Sequence, residues 1–129
     1  MSKVTQFCVG LPDQPGVLAD LCGALRTADV NINALFVSDD PDCCWVNMIV
    51  QPVDAARRVL QEGRYNFFTE QVLAMKLANH PGELERVAKK LAAAHVNINY
   101  VYGSCADSGG FTLVINVSDP SGAAQALRA

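Results

Sequence analysis

Alternating apolar and polar positions give way, several times along this chain, to apolar residues spaced three and four apart. Residues 3–11 alternate, with Phe7, Val9 and Leu11 on one face and Gln6, Cys8 and Gly10 on the other, the period of a half-buried strand. Pro12 supplies no amide donor and ends that pattern. Pro15 suits the first position of a helix, where an amide would have no partner. Leu18, Leu21, Cys22, Leu25 and Ala28 then form one helical stripe reaching about residue 28. Residues 30–38 read as a strand rich in β-branched and aromatic side chains. Asp39-Asp40-Pro41-Asp42 is a turn, and 43–51 returns as the hairpin partner. Pro52 opens a second helix, apolar at Val53, Ala56, Val59 and Leu60, which Gly63 closes. Between Tyr65 and Leu77 there is neither glycine nor proline, and one long strand is expected.

The whole order is then written again. Pro-Gly stands at 15–16 and 81–82, and Asn-Ile-Asn at 31–33 and 97–99, each pair 66 residues apart. The buried stripe recurs as Leu84, Val87, Ala88, Leu91 and Ala94 in a helix expected over 81–94. A strand at 96–104, a loop at 106–110, a strand at 111–117 and a short helix from Asp119-Pro120 follow. Matching Ala55-Ala56 to Ala123-Ala124 stretches the offset to 68, which places two inserted residues in the second hairpin. The fold class is α+β: two ferredoxin-like βαββαβ units, 1–69 and 70–129, with antiparallel sheets and helices on one face. The long strand closes the first sheet and opens the second. The second unit lacks its last strand, which leaves an edge short or open to a partner.

Composition narrows the function classes. The net charge is −3 and the ten Lys and Arg residues are scattered, so no basic stripe exists for nucleic acid. No apolar run approaches the ~18 residues of a membrane span, and the N-terminus has no apolar signal core. A cytoplasmic protein is expected. Five cysteines without a CxxC pair fit neither a disulfide framework nor a zinc site. No metal or cofactor is expected. His80 and His95 stand beside no nucleophile in a triad-like arrangement, and LPDQPG lacks the arginine an acylphosphatase-like loop needs, so the chain is not expected to be an enzyme.

The repeated stretch carries the candidate chemistry. Each loop delivers a glycine, Gly16 or Gly82, to a helix N-terminus, where free amides and the helix dipole favour an anion. Asp13 and Gln14, with Val17 after the glycine, flank the first mouth. Asn79, His80 and Glu83 flank the second. Asn31 and Asn97 open the strand after each helix with a donor and an acceptor, suited to a zwitterion. Asp13 and Asn79 are equally suited to cap their helices, and Asn31 and Asn97 to satisfy the helix-to-strand turn.

PDQPG followed by VNIN, and ANHPG followed by VNIN, resemble the ACT domain, a small-molecule-binding regulatory module of amino-acid metabolism. The resemblance covers nearly the whole chain and is that of a stand-alone tandem. It implies a free amino acid held at an interface between ACT units, by the loop before the helix and the asparagine opening the next strand. Carried over by motif, the contacts are Asp13 and Asn31 in the first copy, and Asn79 and Asn97 in the second. The histidine that serine-binding members carry four residues before the proline is replaced by Leu11 and Leu77; His80 is a substitute contact. The second loop lacks the acid that would repel a carboxylate and is expected to contribute more. A homodimer is expected, with an amino-acid metabolic enzyme as a further partner. The alternative is an interaction subunit of such an enzyme that binds no ligand.

Overall fold

The computed structural model describes residues 1–105 and 109–128. Most of the loop expected at 106–110 lies outside the described residues. Six strands and four helices follow in the order β1 (Ser2–Leu11), α1 (Val17–Thr27), β2 (Asn31–Asp39), β3 (Cys44–Gln51), α2 (Val53–Glu62), β4 (Asn66–Ala78), α3 (Glu83–Ala93), β5 (Ile98–Cys105), β6 (Gly110–Val117) and α4 (Pro120–Arg128). They divide into two compact units: Thr5–Glu70, here the N-unit, and Gln71–Ala129 together with Met1–Val4, here the C-unit.

In the N-unit the strand order is β2-β3-β1-β4, and β1 and β2 both run antiparallel to β3. Phe7, Val9 and Leu11 of β1 meet Leu21 and Leu25 of α1, Val46, Met48 and Val50 of β3, and Ala56 and Leu60 of α2 in one core. The alternation thus puts its better apolar face against the helices, as the pattern requires. Arg57 lies over the Phe7 ring, 5.4 Å from its centroid, a cation–π contact.

The C-unit has the order β5-β6-β4-β1, with β4 and β5 antiparallel to β6. Its core joins Leu73 and Met75 to Val87, Leu91, Leu113, Ile115, Val117, Ala123 and Ala124. No strand follows α4 among the described residues. The start of β1 belongs to this unit instead, and β1 is the hydrogen-bonded neighbour of β4. Lys3 Nζ donates to Ser121 Oγ of α4 at 3.1 Å. The flank that chain order leaves bare is therefore occupied by the chain's own first residues. β4 is one unbroken strand of 13 residues, as the missing turn signals foretold, with its residues divided between the two units.

Four sequence expectations are corrected. Pro15 does not open α1, whose N-cap is Gly16. Leu18 and Leu84 are 38% and 44% exposed; each is the second residue of its helix, in the turn ahead of the buried positions. Gly63 follows α2 in a right-handed conformation, and Arg64 takes the left-handed one. Gly63 is needed for room, since a Cβ there would meet the Tyr65 ring at 2.6 Å. Finally, the offset beyond the second hairpin is 67, not 68. Ile32 pairs with Val50 and Ile98 with Val117, and Ala56 and Ala123 make equivalent first-turn bonds to Pro52 and Asp119. The alanine doublets misled because Ala123 matches the second alanine of the first pair, not the first.

Candidate functional site

Each Pro-Gly pair is the middle of a tight turn. Gly16 has φ 92 and ψ −19, and Gly82 φ 93 and ψ −6, values that a type II turn demands after proline and that glycine meets without strain. Before the turn, Gln14 N–H donates to Pro12 O at 2.9 Å, and His80 N–H to Ala78 O at 3.0 Å. After it, Asp20 and Arg86 amides donate to the glycine carbonyls at 3.0 and 2.9 Å. Neither helix has a side-chain cap, so Asp13 and Asn79 do not serve as caps.

The two mouths differ. Near the first, Gly10, Leu11, Pro12, Val17, Asp20, Arg64, Tyr65 and Asn66 line a cleft of about 260 Å³. Val17 packs against the core, while Asp13, Gln14 and Gly16 are exposed. At the second, Asn79, His80, Gly82, Glu83, Leu84 and Glu85 line a cleft of about 230 Å³ with Phe111. Glu83 there is paired with Arg86 at 3.0 Å.

Asn31 and Asn97 stand elsewhere. In both copies the pairing slips by one residue at the second asparagine, between Ile32 and Ala34 and between Ile98 and Tyr100. Asn33 and Asn99 are the extra residues of two β-bulges. Asn31 Nδ2 donates to Asn33 Oδ1 at 3.1 Å, and Asn97 Nδ2 to Asn99 Oδ1 at 3.2 Å. The bulge residues reach the neighbouring strand: Asn33 donates to Gln51 Oε1 at 3.5 Å, and Asn99 to the part-buried Asn116 Oδ1 at 2.8 Å. The repeated Asn-Ile-Asn is thus also a bulge staple.

Register separates each mouth from its own asparagine. Leu11 pairs with Cys44, whereas Asn31 pairs with Gln51 at the other end of β3; seven residues of strand are about 23 Å. In the C-unit, Ala78 pairs with Gly110 and Ile98 with Val117, again about 23 Å apart. Asp13 and Asn31 do not meet in one unit, nor do Asn79 and Asn97. The strand register could not be read from the loop motif itself.

Beside Asn31 is a cleft of about 420 Å³ lined by Cys22, Leu25, Arg26, Asp29, Val30 and Ile32. Sequence reasoning passed over Arg26, Asp29 and Arg64. The signal for the first two was present: the matching positions of the second copy are Ala92 and His95.

Two of the five thiols are held towards the protonated form. Burial pushes the Cys8 thiol up to about 11, with the Glu70 carboxylate adding to it. Cys43 is also raised, by lost hydration first and Asp40 second. Among the described residues no group of three or more His, Cys, Asp or Glu could hold a metal. No helix there is long and apolar enough to cross a membrane.

Two ferredoxin-like units built on one duplicated loop-helix-strand motif define a tandem α+β architecture. The family model described as "ACT domain pair" matches residues 2–127, and the chain belongs to that family. Protein BT0572 from Bacteroides thetaiotaomicron is 25% identical, with 98% of this chain and 87% of that one covered and a TM-score of 0.91. The regulatory subunit of aspartate kinase from Thermus thermophilus, in its ligand-free form, is 15% identical over 99% and 92% of the two chains, TM-score 0.66. A structure of aspartokinase alpha and beta subunits is 17% identical over 95% and 88%, TM-score 0.67. The last two likenesses are of fold. No curated protein matches the sequence.

Proposed function

We propose that this protein is a non-catalytic regulatory ACT pair that binds a free amino acid where two ACT units meet and passes the binding on through dimer or enzyme contacts. The observation that carries this is the separation of each mouth from its own asparagine by about 23 Å. The loop and the strand-opening asparagine that the family resemblance assigns to one ligand must then come from two different units. A ligand that needs both is a ligand that reports on how units associate. The likeness in fold to regulatory subunits of aspartate kinase supports an amino-acid metabolic enzyme as partner.

The test is thermal unfolding of the full chain against each of the twenty amino acids. One that binds should stabilise by about 2.7 kcal/mol at one hundred times its Kd. The Asn31→Ala/Asn97→Ala double variant should lose that shift. Absence of a shift with all twenty overturns amino-acid sensing. It would favour the second reading, an interaction subunit without a ligand, for which the exposed Leu35, Phe36 and Val37 of β2 speak.

A further inference from the structure

The helix-to-strand corners of the two copies share a backbone and differ in charge. In the N-unit, Asp29 N–H donates to Arg26 O at 2.9 Å and Val30 N–H to Leu25 O at 2.9 Å. In the C-unit, His95 donates to Ala92 O at 3.0 Å and Val96 to Leu91 O at 2.9 Å. Asp29 and His95 have φ 59 and 58, and Val30 and Val96 are equally buried. The C-unit corner closes with alanine where the first has Arg26, and with His95 where it has Asp29. The fold of this corner therefore does not require the charges.

Asp29 even opposes the fold. Its carboxylate stands at the negative end of α1, on a left-handed backbone that glycine adopts at less cost. Arg26 and Asp29 form no ion pair among the described residues. Both line the same cleft of about 420 Å³, over a floor of Cys22, Leu25 and Ile32, a size ordinary for small-ligand sites.

We infer that this corner of the N-unit is the head-group site for a free α-amino acid with a small or apolar side chain. Arg26 takes the carboxylate with its planar fork of donors. Asp29 and the carbonyl end of α1 take the ammonium, joined by Asn31 Oδ1, whose amide nitrogen is already engaged with Asn33. The ligand's side chain lies on the Cys22–Leu25–Ile32 floor, where an acidic chain finds no second cation. This rests on the proposal that the protein binds an amino acid. It adds which copy holds the head group and through which residues, the loop of another ACT unit closing over the ligand from the open side of this corner.

Calorimetry on the full chain tests it, first with neutral L-amino acids, then with the amine and the carboxylic acid that each lack one end of the best binder. The wild type should bind the amino acid at least tenfold more tightly than either analogue. Arg26→Gln should weaken it at least tenfold and bring it level with the amine. Asp29→Asn should do the same and bring it level with the acid, while its ligand-free Tm stays at or above wild type. His95→Asn, in the second corner, should change neither. Affinities within twofold of wild type for both N-unit variants, with the wild type binding, overturn this site and leave the amino-acid function standing. No binding of any amino acid by the wild type overturns both.

Discussion

Three glycines show how one residue type serves opposite ends at different positions. A Cβ at Gly16, Gly82 or Gly23 would meet nothing within 4 Å, so only backbone conformation decides the outcome. At Gly16 and Gly82 the φ angles of 92 and 93 exclude easy replacement, and alanine should cost about 1 kcal/mol at each. At Gly23, inside α1, alanine should stabilise by about 1 kcal/mol. Urea unfolding of the three variants checks both signs; a destabilised Gly23→Ala would mean that α1 is not packed as described. Cys8 supplies a pH test. Its folded thiol titrates near 11 against 9.0 for the free group, so from pH 9 upward the unfolded chain releases its proton first. Stability from this residue is complete below pH 9 and falls as pH rises towards 11, by up to about 2–3 kcal/mol at 1.36 kcal/mol per unit. The difference between wild type and Cys8→Ala, measured at pH 8 and pH 10.5, isolates that term from other titrating groups. If the two proteins lose stability in parallel, the thiol is not held protonated by burial.

At the level of elements, most of the fold was readable because its determinants are local. Period-2 spacing placed β1, helical spacing placed α1, α2 and α3, turn residues and β-branched content placed the hairpins, and the absence of glycine and proline between Tyr65 and Leu77 marked β4 as one strand. What stayed hidden depends on pairing partners distant in sequence. Residues 1–4 join the C-unit although nothing in MSKV says so, and the one-residue slip at Asn33 and Asn99 exists only relative to β3 and β6. The site suffered for the same reason: loop and asparagine are 15 to 18 positions apart in sequence but at opposite ends of a strand. The two bulges nevertheless predict an inequality. Asn99 meets a part-buried acceptor at 2.8 Å and Asn33 an exposed one at 3.5 Å. Asn99→Ala should therefore cost about 1–2 kcal/mol, because it strips a partner from buried Asn116, and Asn33→Ala less than about 0.5 kcal/mol. Equal losses in denaturant titrations would remove the staple from the account of C-unit stability.

For the molecule as a whole, the question is where a small chain with a free sheet edge finds its partner. β2 has one strand neighbour, and three consecutive residues on it, Leu35, Phe36 and Val37, are each about 40% exposed. Consecutive exposed apolar side chains on an edge strand invite pairing with another edge unless something covers them. A two-fold pairing of like edges closes on itself and stops at a dimer, which also brings a second set of ACT units beside the first. The homodimer proposed above would use this edge. Val37→Lys places a charge in the middle of it. Wild type should then sediment as a dimer and Val37→Lys as a monomer, with the helical signal in circular dichroism unchanged. If the amino acid is held between units of two chains, the monomer should also lose the ligand-dependent rise in Tm, whereas loss of the dimer with the rise intact would locate the ligand within a single chain. A wild type that stays monomeric at high concentration would leave β2 without the role given to it here.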